Sequence, residues 1–454
     1  MGLTNVRRRH LETEMQFRQR TQRLLLTAVQ TAVAALVVPA VASAATTPDP
    51  FYQYVGSTPL ADIAPGTVLK SRTISVYIAG LKTSYKATQI VYRSTDAMQR
   101  PAANVTTVFT PDCTSACPNK NKVISYQSFY DSLNPEDSPS RAFAGGKRLP
   151  DMLPAVETML FGSYVKKGYT VVISDTEGQK ANFAAGPEYG YNTLDSIRAT
   201  FNSPQIGLNS NAKVALIGYS GGAIATEWAA ELAPTYAPDV NANLIGAAFG
   251  GTLVSPEHNL SYIEDAPMWG GVMPMAVIGV SRSYDIDIQK YLTPRGLDVY
   301  NKMQKASIAY VLFQYSNVSW KALVKPEYQD RTKIPEYVAA VNKVIMGTGG
   351  TPTIPLQIGQ GTGGNWEGTK PSPVWGKGDG VMLAGDVRSL ARQYCAQGVT
   401  IQHKEWGSSH FVTMVSWLPG ATAWIDDRFA GKPAPNNCAS IASGNSLDPL
   451  VYNP

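Results

Sequence analysis

Residues 213–232 read KVALIGYSGGAIATEWAAEL, and their interpretation decides the fold. The apolar run Val214 to Ile217 has the length of a buried strand, and the stretch from Ala223 to Leu232 is rich in helix formers. Between them stands Gly218-Tyr219-Ser220-Gly221-Gly222. A serine at a sharp bend from strand into helix has its hydroxyl held out at the carboxyl edge of a sheet, and flanking glycines tolerate the strained backbone and close packing. The N-terminus of the following helix supplies amide donors and a positive dipole end that suit a developing oxyanion. Taken as a bare string, the pentapeptide also fits an ordinary tight turn; its place between an apolar strand and a helix makes Ser220 the candidate nucleophile.

Working outward, the same alternation recurs. ANLIGAAFGG (242–251) reads as the next strand; upstream come VISYQ (123–127), a helix over Asp151–Lys167, the strand GYTVVISDTEG (168–178) and a helix over Tyr191–Phe201. In the last of these Leu194, Ile197 and Phe201 recur at helical spacing. Repeated strand–helix units predict a mostly parallel sheet with helices on both faces. Short β-rich runs from Arg72 to Phe109 predict an antiparallel meander before it. From about 252 to 350 the alternation stops: helices are expected over Gly279–Lys290 and Thr293–Gln314, with no clear buried strand. Tyr262, Met268, Trp269, Met273, Met275, Tyr310, Tyr315 and Trp320 are expected to be mostly the core of a small helical subdomain, a minority of them lining an apolar pocket over the sheet. The sheet resumes with TIPLQIGQG, followed by a Gly/Pro-rich loop to Gly380, a helix near Leu383–Ala396, the strand VTIQHKEW and a final helix through Trp424.

A serine needs a base to take its proton. Of the four histidines, His10 belongs to the N-terminal leader, His403 lies inside a strand, and His258 reads as solvated or structural. His410, in GSSHF between the last strand and the final helix, is the candidate base, with His258 second. The orienting acid should follow the preceding strand, giving the chain order Ser, Asp/Glu, His. Asp379 in GKGDG is the first aspartate beyond TIPLQIGQG, although Asp-Gly is also plain turn chemistry. Glu367 is a weaker rival, and Asp386 reads as a cap or first-turn residue of the next helix.

The chain has 454 residues, 39 of them basic and 34 acidic, for a formal charge of +5. Only 16% are charged against 44% hydrophobic, which excludes a disordered, charge-rich protein. The basic excess sits at the front. Arg7, Arg8, Arg9, Arg18, Arg20 and Arg23 precede an apolar run from Leu24 to Val38 and Ala42-Ser43-Ala44, the layout of a cleavable secretory signal over residues 1–44. The run is short for a bilayer span, which needs about 20 residues. Arginines 7–9 lie far from it for a twin-arginine signal, and Met15 is an alternative start. Without the leader the net charge is +1, which removes the electrostatic case for nucleic acid. The four cysteines, Cys113, Cys117, Cys395 and Cys438, allow three pairings; nearest neighbours, Cys113 with Cys117 and Cys395 with Cys438, are the expected ones in an oxidising compartment. Zinc at CTSAC lacks further ligands, and no metal or organic cofactor is expected.

The chain resembles the secretory lipase family of α/β-hydrolases along most of its length after the leader. The most specific stretches are SYQSFYDSLN (125–134), SDTEGQKANFAAGPEYGYNTLDSIRA (174–199) and IGYSGGAIATEWAAELAPTYAPDVNANLIGAAFGGT (217–252). The resemblance implies an α/β-hydrolase fold with an inserted helical cap at about 252–350, between core parts at 45–251 and 351–454. It implies a triad of Ser220, Asp379 and His410, the same residues reached from position alone. It also implies oxyanion donors at Asp131 and Gly221; by itself Asp131 reads as a loop residue before Pro135. The expected function is a secreted lipase acting on acylglycerol esters through an acyl-enzyme, at a lipid–water interface, with envelope association and oligomeric state left open. No transmembrane anchor is expected after signal cleavage. The rivals are a carboxylesterase of shorter esters, a serine peptidase, and a catalytically inactive binding protein on the same scaffold.

Overall fold

The computed structural model describes residues 49–111, 117–316 and 318–454. The expected leader 1–44, with His10 and Met15, and the expected partner Cys113 lie outside them. Nine strands form one mixed sheet: β1 (Val68–Ile78), β2 (Leu81–Thr95), β3 (Pro101–Phe109), β4 (Lys122–Gln127), β5 (Thr170–Ser174), β6 (Lys213–Tyr219), β7 (Leu244–Gly250), β8 (Leu356–Gly361) and β9 (Ile401–Trp406). Their order is β1-β2-β3-β5-β4-β6-β7-β8-β9. The meander β1–β3 and the β3–β5 pair are antiparallel, whereas every pair from β5 to β9 is parallel.

The main helices are α1 (Met152–Lys166), α2 (Gly186–Phe201), α3 (Gly221–Tyr236), α4 (Pro256–Ile263), α5 (Val272–Ser283), α6 (Pro294–Met303), α7 (Pro335–Lys343), α8 (Ala384–Ala396) and α9 (His410–Phe429). Side chains alternate across a strand, so β6, buried between two helical layers, is apolar on both faces. Val214 and Leu216 join one core with Leu194 of α2, Trp228 of α3 and Leu390 of α8. Ala215, Ile217 and Tyr219 point the other way, to Phe161 of α1 and Trp417 and Trp424 of α9. A third core lies within the helical segment between β7 and β8 and takes in Tyr262, Met268, Trp269, Met273, Met275 and Trp320, with Tyr315 partly buried against it.

Two expected helices in that segment are corrected. The helix expected over Gly279–Lys290 starts earlier and stops at Ser283, because the chain turns at Asp285, which has a φ of 53°. The helix expected over Thr293–Gln314 is broken after Met303. There residues 306–308 leave the helix to pair with the loop after β4: Leu133 N–H donates to Ala306 O at 2.7 Å, and Ile308 N–H to Asp131 O at 2.8 Å. A long-range pairing has overridden local helical preference. α2 begins at Gly186, five residues before the expected start, with Pro187 in its first turn. Cys395 on α8 is disulfide-bonded to Cys438 in the C-terminal tail, as expected. No described helix is long and apolar enough to cross a membrane.

Candidate active site

Ser220 is a non-glycine residue at φ 55° and ψ −122°, between the end of β6 and the first residue of α3. Such a backbone persists only when the surroundings over-determine it. The packing is that tight: a Cβ at Gly218 would collide with the Gly222 carbonyl, and one at Gly222 with the Gln127 carbonyl. The turn thus requires its glycines through close approach.

His410 is the first residue of α9 and does not sit in a loop before it, a correction that fixes the imidazole more firmly. Its Nε2 lies 2.8 Å from Ser220 Oγ, and its Nδ1 lies 2.7 Å from Asp379 Oδ2. With Nδ1–H donating to the carboxylate, Nε2 is left as the acceptor for the serine hydroxyl. Asp379 is fully buried in the turn that closes the Gly/Pro-rich loop. Its other oxygen accepts from Val381 N–H at 3.1 Å and Met382 N–H at 2.8 Å, and its carbonyl accepts from His410 N–H at 2.8 Å. The turn reading and the orienting-acid reading of Asp379 therefore describe the same residue. Tyr219 Oη donates to His410 O at 2.7 Å, pinning the start of α9. Burial alone would push the imidazole down, but the charges of Asp379, Glu367 and Asp131 more than offset it, and the net shift is upward.

Glu367 is half-buried beside this group, yet its oxygens hold the Trp269 indole N–H at 2.9 Å and the Phe411 N–H at 3.0 Å, and not the imidazole. Trp269, on the turn before α5, stands edge-on to His410 at 5.4 Å and stacks on Phe411 at 5.5 Å. Of the two readings of His258, solvated or structural, the second holds: it is buried, its Nδ1 lies 3.1 Å and 3.2 Å from the Asp386 oxygens, and it stacks on Trp375 at 3.5 Å. Without water to solvate it, an imidazole in such a place needs a polar partner; the pair ties α4 to α8. His403 is buried within β9, as expected.

Asp131 lies in the loop after β4 at a φ of 30°. Its carboxyl packs directly over Gly221, so closely that a Cβ there would overlap it. Burial pushes that carboxyl up to about 7, against the downward pull of His410. The Asp131 N–H bonds only to its own carboxyl, and no hydrogen bond ties the Gly221 N–H to another described residue. Both residues line one apolar cavity with Ser220, Leu260, Trp269 and Val381. A second apolar cavity shares Ala184, Pro256, Leu260 and Ala276 with it and continues into the helical segment past Val280 and Val341. Among the described residues no His/Cys/Asp/Glu group is arranged to hold a metal ion.

A sharp serine turn between β6 and α3, in a sheet whose later strands are parallel, defines an α/β-hydrolase. The secretory lipase family model matches residues 147–437, more than half of the chain, and the chain belongs to the secretory lipase family. It is an ester-hydrolysing lipase. Lipase 6 of Candida albicans is 32% identical over 418 residues, covering 85% of this chain and 83% of its own. A protein of Mycobacterium tuberculosis named a probable inactive lipase is 27% identical, with 86% and 84% covered. Among solved structures, lipase A of Candida antarctica in its closed state aligns with a TM-score of 0.75 at 27% identity, over 88% of this chain and 91% of that one.

Proposed function

We propose that Ser220, His410 and Asp379 carry out the lipase reaction through an acyl-enzyme. His410 Nε2 takes the Ser220 proton as Oγ attacks the ester carbonyl, while Asp379 holds the tautomer and stabilises the imidazolium. The amides of Asp131 and Gly221 receive the oxyanion, His410 returns the proton to the leaving alcohol, and a water repeats the cycle on the acyl-enzyme. The observation that carries this reading is the unbroken relay of 2.8 Å and 2.7 Å contacts from Ser220 through His410 to Asp379.

Residues 252–350 act as a cap between core parts 45–251 and 351–454, and the paired apolar cavities favour an acyl chain of some length. Each buried CH2 of such a chain contributes about 0.8 kcal/mol. The substrate is therefore an acylglycerol or similar lipid ester met at a lipid–water interface, by an enzyme released outside the cell. Ser220→Ala should abolish hydrolysis of p-nitrophenyl esters while leaving the thermal melt unchanged; residual full activity would remove Ser220 from the mechanism. A series from acetate to palmitate tests the chain, and preference for the shortest ester would make the protein a carboxylesterase. Failure of a fluorophosphonate to label Ser220 would instead make it an inactive relative.

A further inference from the structure

We propose that Glu177 is a positioning residue for the reaction, holding the backbone of Asp131 in the conformation that presents its amide. The inference rests on the oxyanion role given to Asp131 above. Glu177, in the loop after β5, is fully buried. Its carboxyl oxygens lie 3.0 Å and 3.2 Å from Ser132 N, and Tyr189 Oη donates to one of them at 3.1 Å. Its own N–H donates to Tyr130 Oη at 2.9 Å. The residues on either side of Asp131 are thus both tied to Glu177.

The geometry closes around a single peptide plane, the one joining Asp131 to Ser132. Its N–H is held by Glu177 from the core, and its carbonyl accepts from Ile308 N–H of the helical segment at 2.8 Å. A plane gripped at both ends cannot rotate, and Asp131 on its N-terminal side sits at φ 30°, a region costly for any residue but glycine. Released from either grip, Asp131 would relax toward negative φ and swing its N–H away. Tyr189 in turn is fixed by Ala184 N–H, which donates to its oxygen at 3.1 Å. What the task asks of Glu177 is reach and an acceptor oxygen. Charge is not required.

Two conservative variants separate these demands. Glu177→Asp keeps the charge but withdraws the carboxylate by one methylene; Glu177→Gln keeps the reach and one acceptor oxygen. The Asp variant is expected to lose about 10- to 100-fold in kcat on p-nitrophenyl butyrate, less than or equal to the effect of deleting an oxyanion donor, with KM within about threefold. Binding of phenylboronic acid, whose tetrahedral adduct on Ser220 puts an anionic oxygen where the amides point, should weaken in parallel. The Gln variant should stay within about threefold of the parent on both measures. A folded Asp variant with parental kcat and boronate affinity overturns the proposal, as does a Gln variant that falls further than the Asp variant. If the Asp variant does not fold, Tyr189→Phe, which removes one hydrogen bond from the carboxyl, takes its place: a loss confined to kcat supports the role and an unchanged kcat overturns it. Persistent activity in Ser220→Ala would strike at the mechanism itself, which keeps the two failures apart.

Discussion

The indole N–H of Trp269 donates to Glu367 at 2.9 Å, while the other oxygen of Glu367 takes the amide of Phe411, the residue next to the proposed base. One half-buried carboxylate therefore fastens the helical segment to the start of α9. Trp269→Phe keeps the stacking on Phe411 but leaves a Glu367 oxygen without its donor. The expected cost is about 1–3 kcal/mol of stability, read from the urea midpoint. An unchanged midpoint would mean that the contact does not fasten anything.

Asp379→Asn should lower kcat by about four orders of magnitude, since an amide can donate to Nδ1 and stabilise the wrong tautomer. Glu367, engaged with Trp269 and Phe411, is not free to substitute. The same variant carries a pH signature. The His410 imidazole is raised above its ordinary 6.5 chiefly by Asp379 working against burial, so the acid limb of kcat/KM should lie above that value in the parent. In Asp379→Asn the residual activity should show that limb moved to lower pH. A limb that stays in place would detach Asp379 from His410.

Asp131→Asn should change the slope of stability with pH. The folded-state carboxyl sits at about 7 against an ordinary 3.8, so between these values the folded protein binds a proton that the unfolded chain has released. Stability from this group is full below pH 3.8 and is lost as pH rises through 7, by up to about 4 kcal/mol on the scale of 1.36 kcal/mol per unit. The Asn variant, uncharged throughout, should match the parent near pH 4 and melt higher at pH 8. Because the backbone amide survives, kcat should fall much less than in Asp379→Asn. Parallel melting curves across that range would contradict the assignment.

Replacing Cys395 and Cys438 together by serine opens a link between residues 43 apart in sequence. The chain-entropy relation gives about 4 kcal/mol for a loop of this size, and about 2–4 kcal/mol is the expected loss. The link joins α8 to the C-terminal tail, away from Ser220, so kcat at a temperature below the melt should be unaffected. A drop in kcat without a drop in Tm would reverse this expectation.

Much of the core was legible because its signals are local. The apolar run before Ser220 and the crowded glycines around it are a property of ten consecutive residues, and Asp379 and His410 follow from where two later strands end. The break in the helix expected over Thr293–Gln314 was not legible. It depends on hydrogen bonds that the Ala306 carbonyl accepts from, and the Ile308 N–H donates to, a loop about 170 residues earlier, and nothing in the local sequence announces them. Glu177 was hidden for the same reason: it stands in a recognisable stretch, TEG, but a side chain's aim at Ser132 is decided by the packing of β4, β5 and α2. Asp131 came only from resemblance, since a loop aspartate before Pro135 has no pattern of its own.

The pairing of residues 306–308 with Asp131–Leu133 bears on how this enzyme could be re-engineered. A helical insertion between two strands looks like a removable part, to be exchanged for another with a different acyl preference. Here such an exchange would also take away the donor that holds the Asp131 carbonyl. Chimeras that replace the whole insertion would alter turnover together with selectivity, whereas grafts that leave 303–311 untouched would let the two be tuned apart.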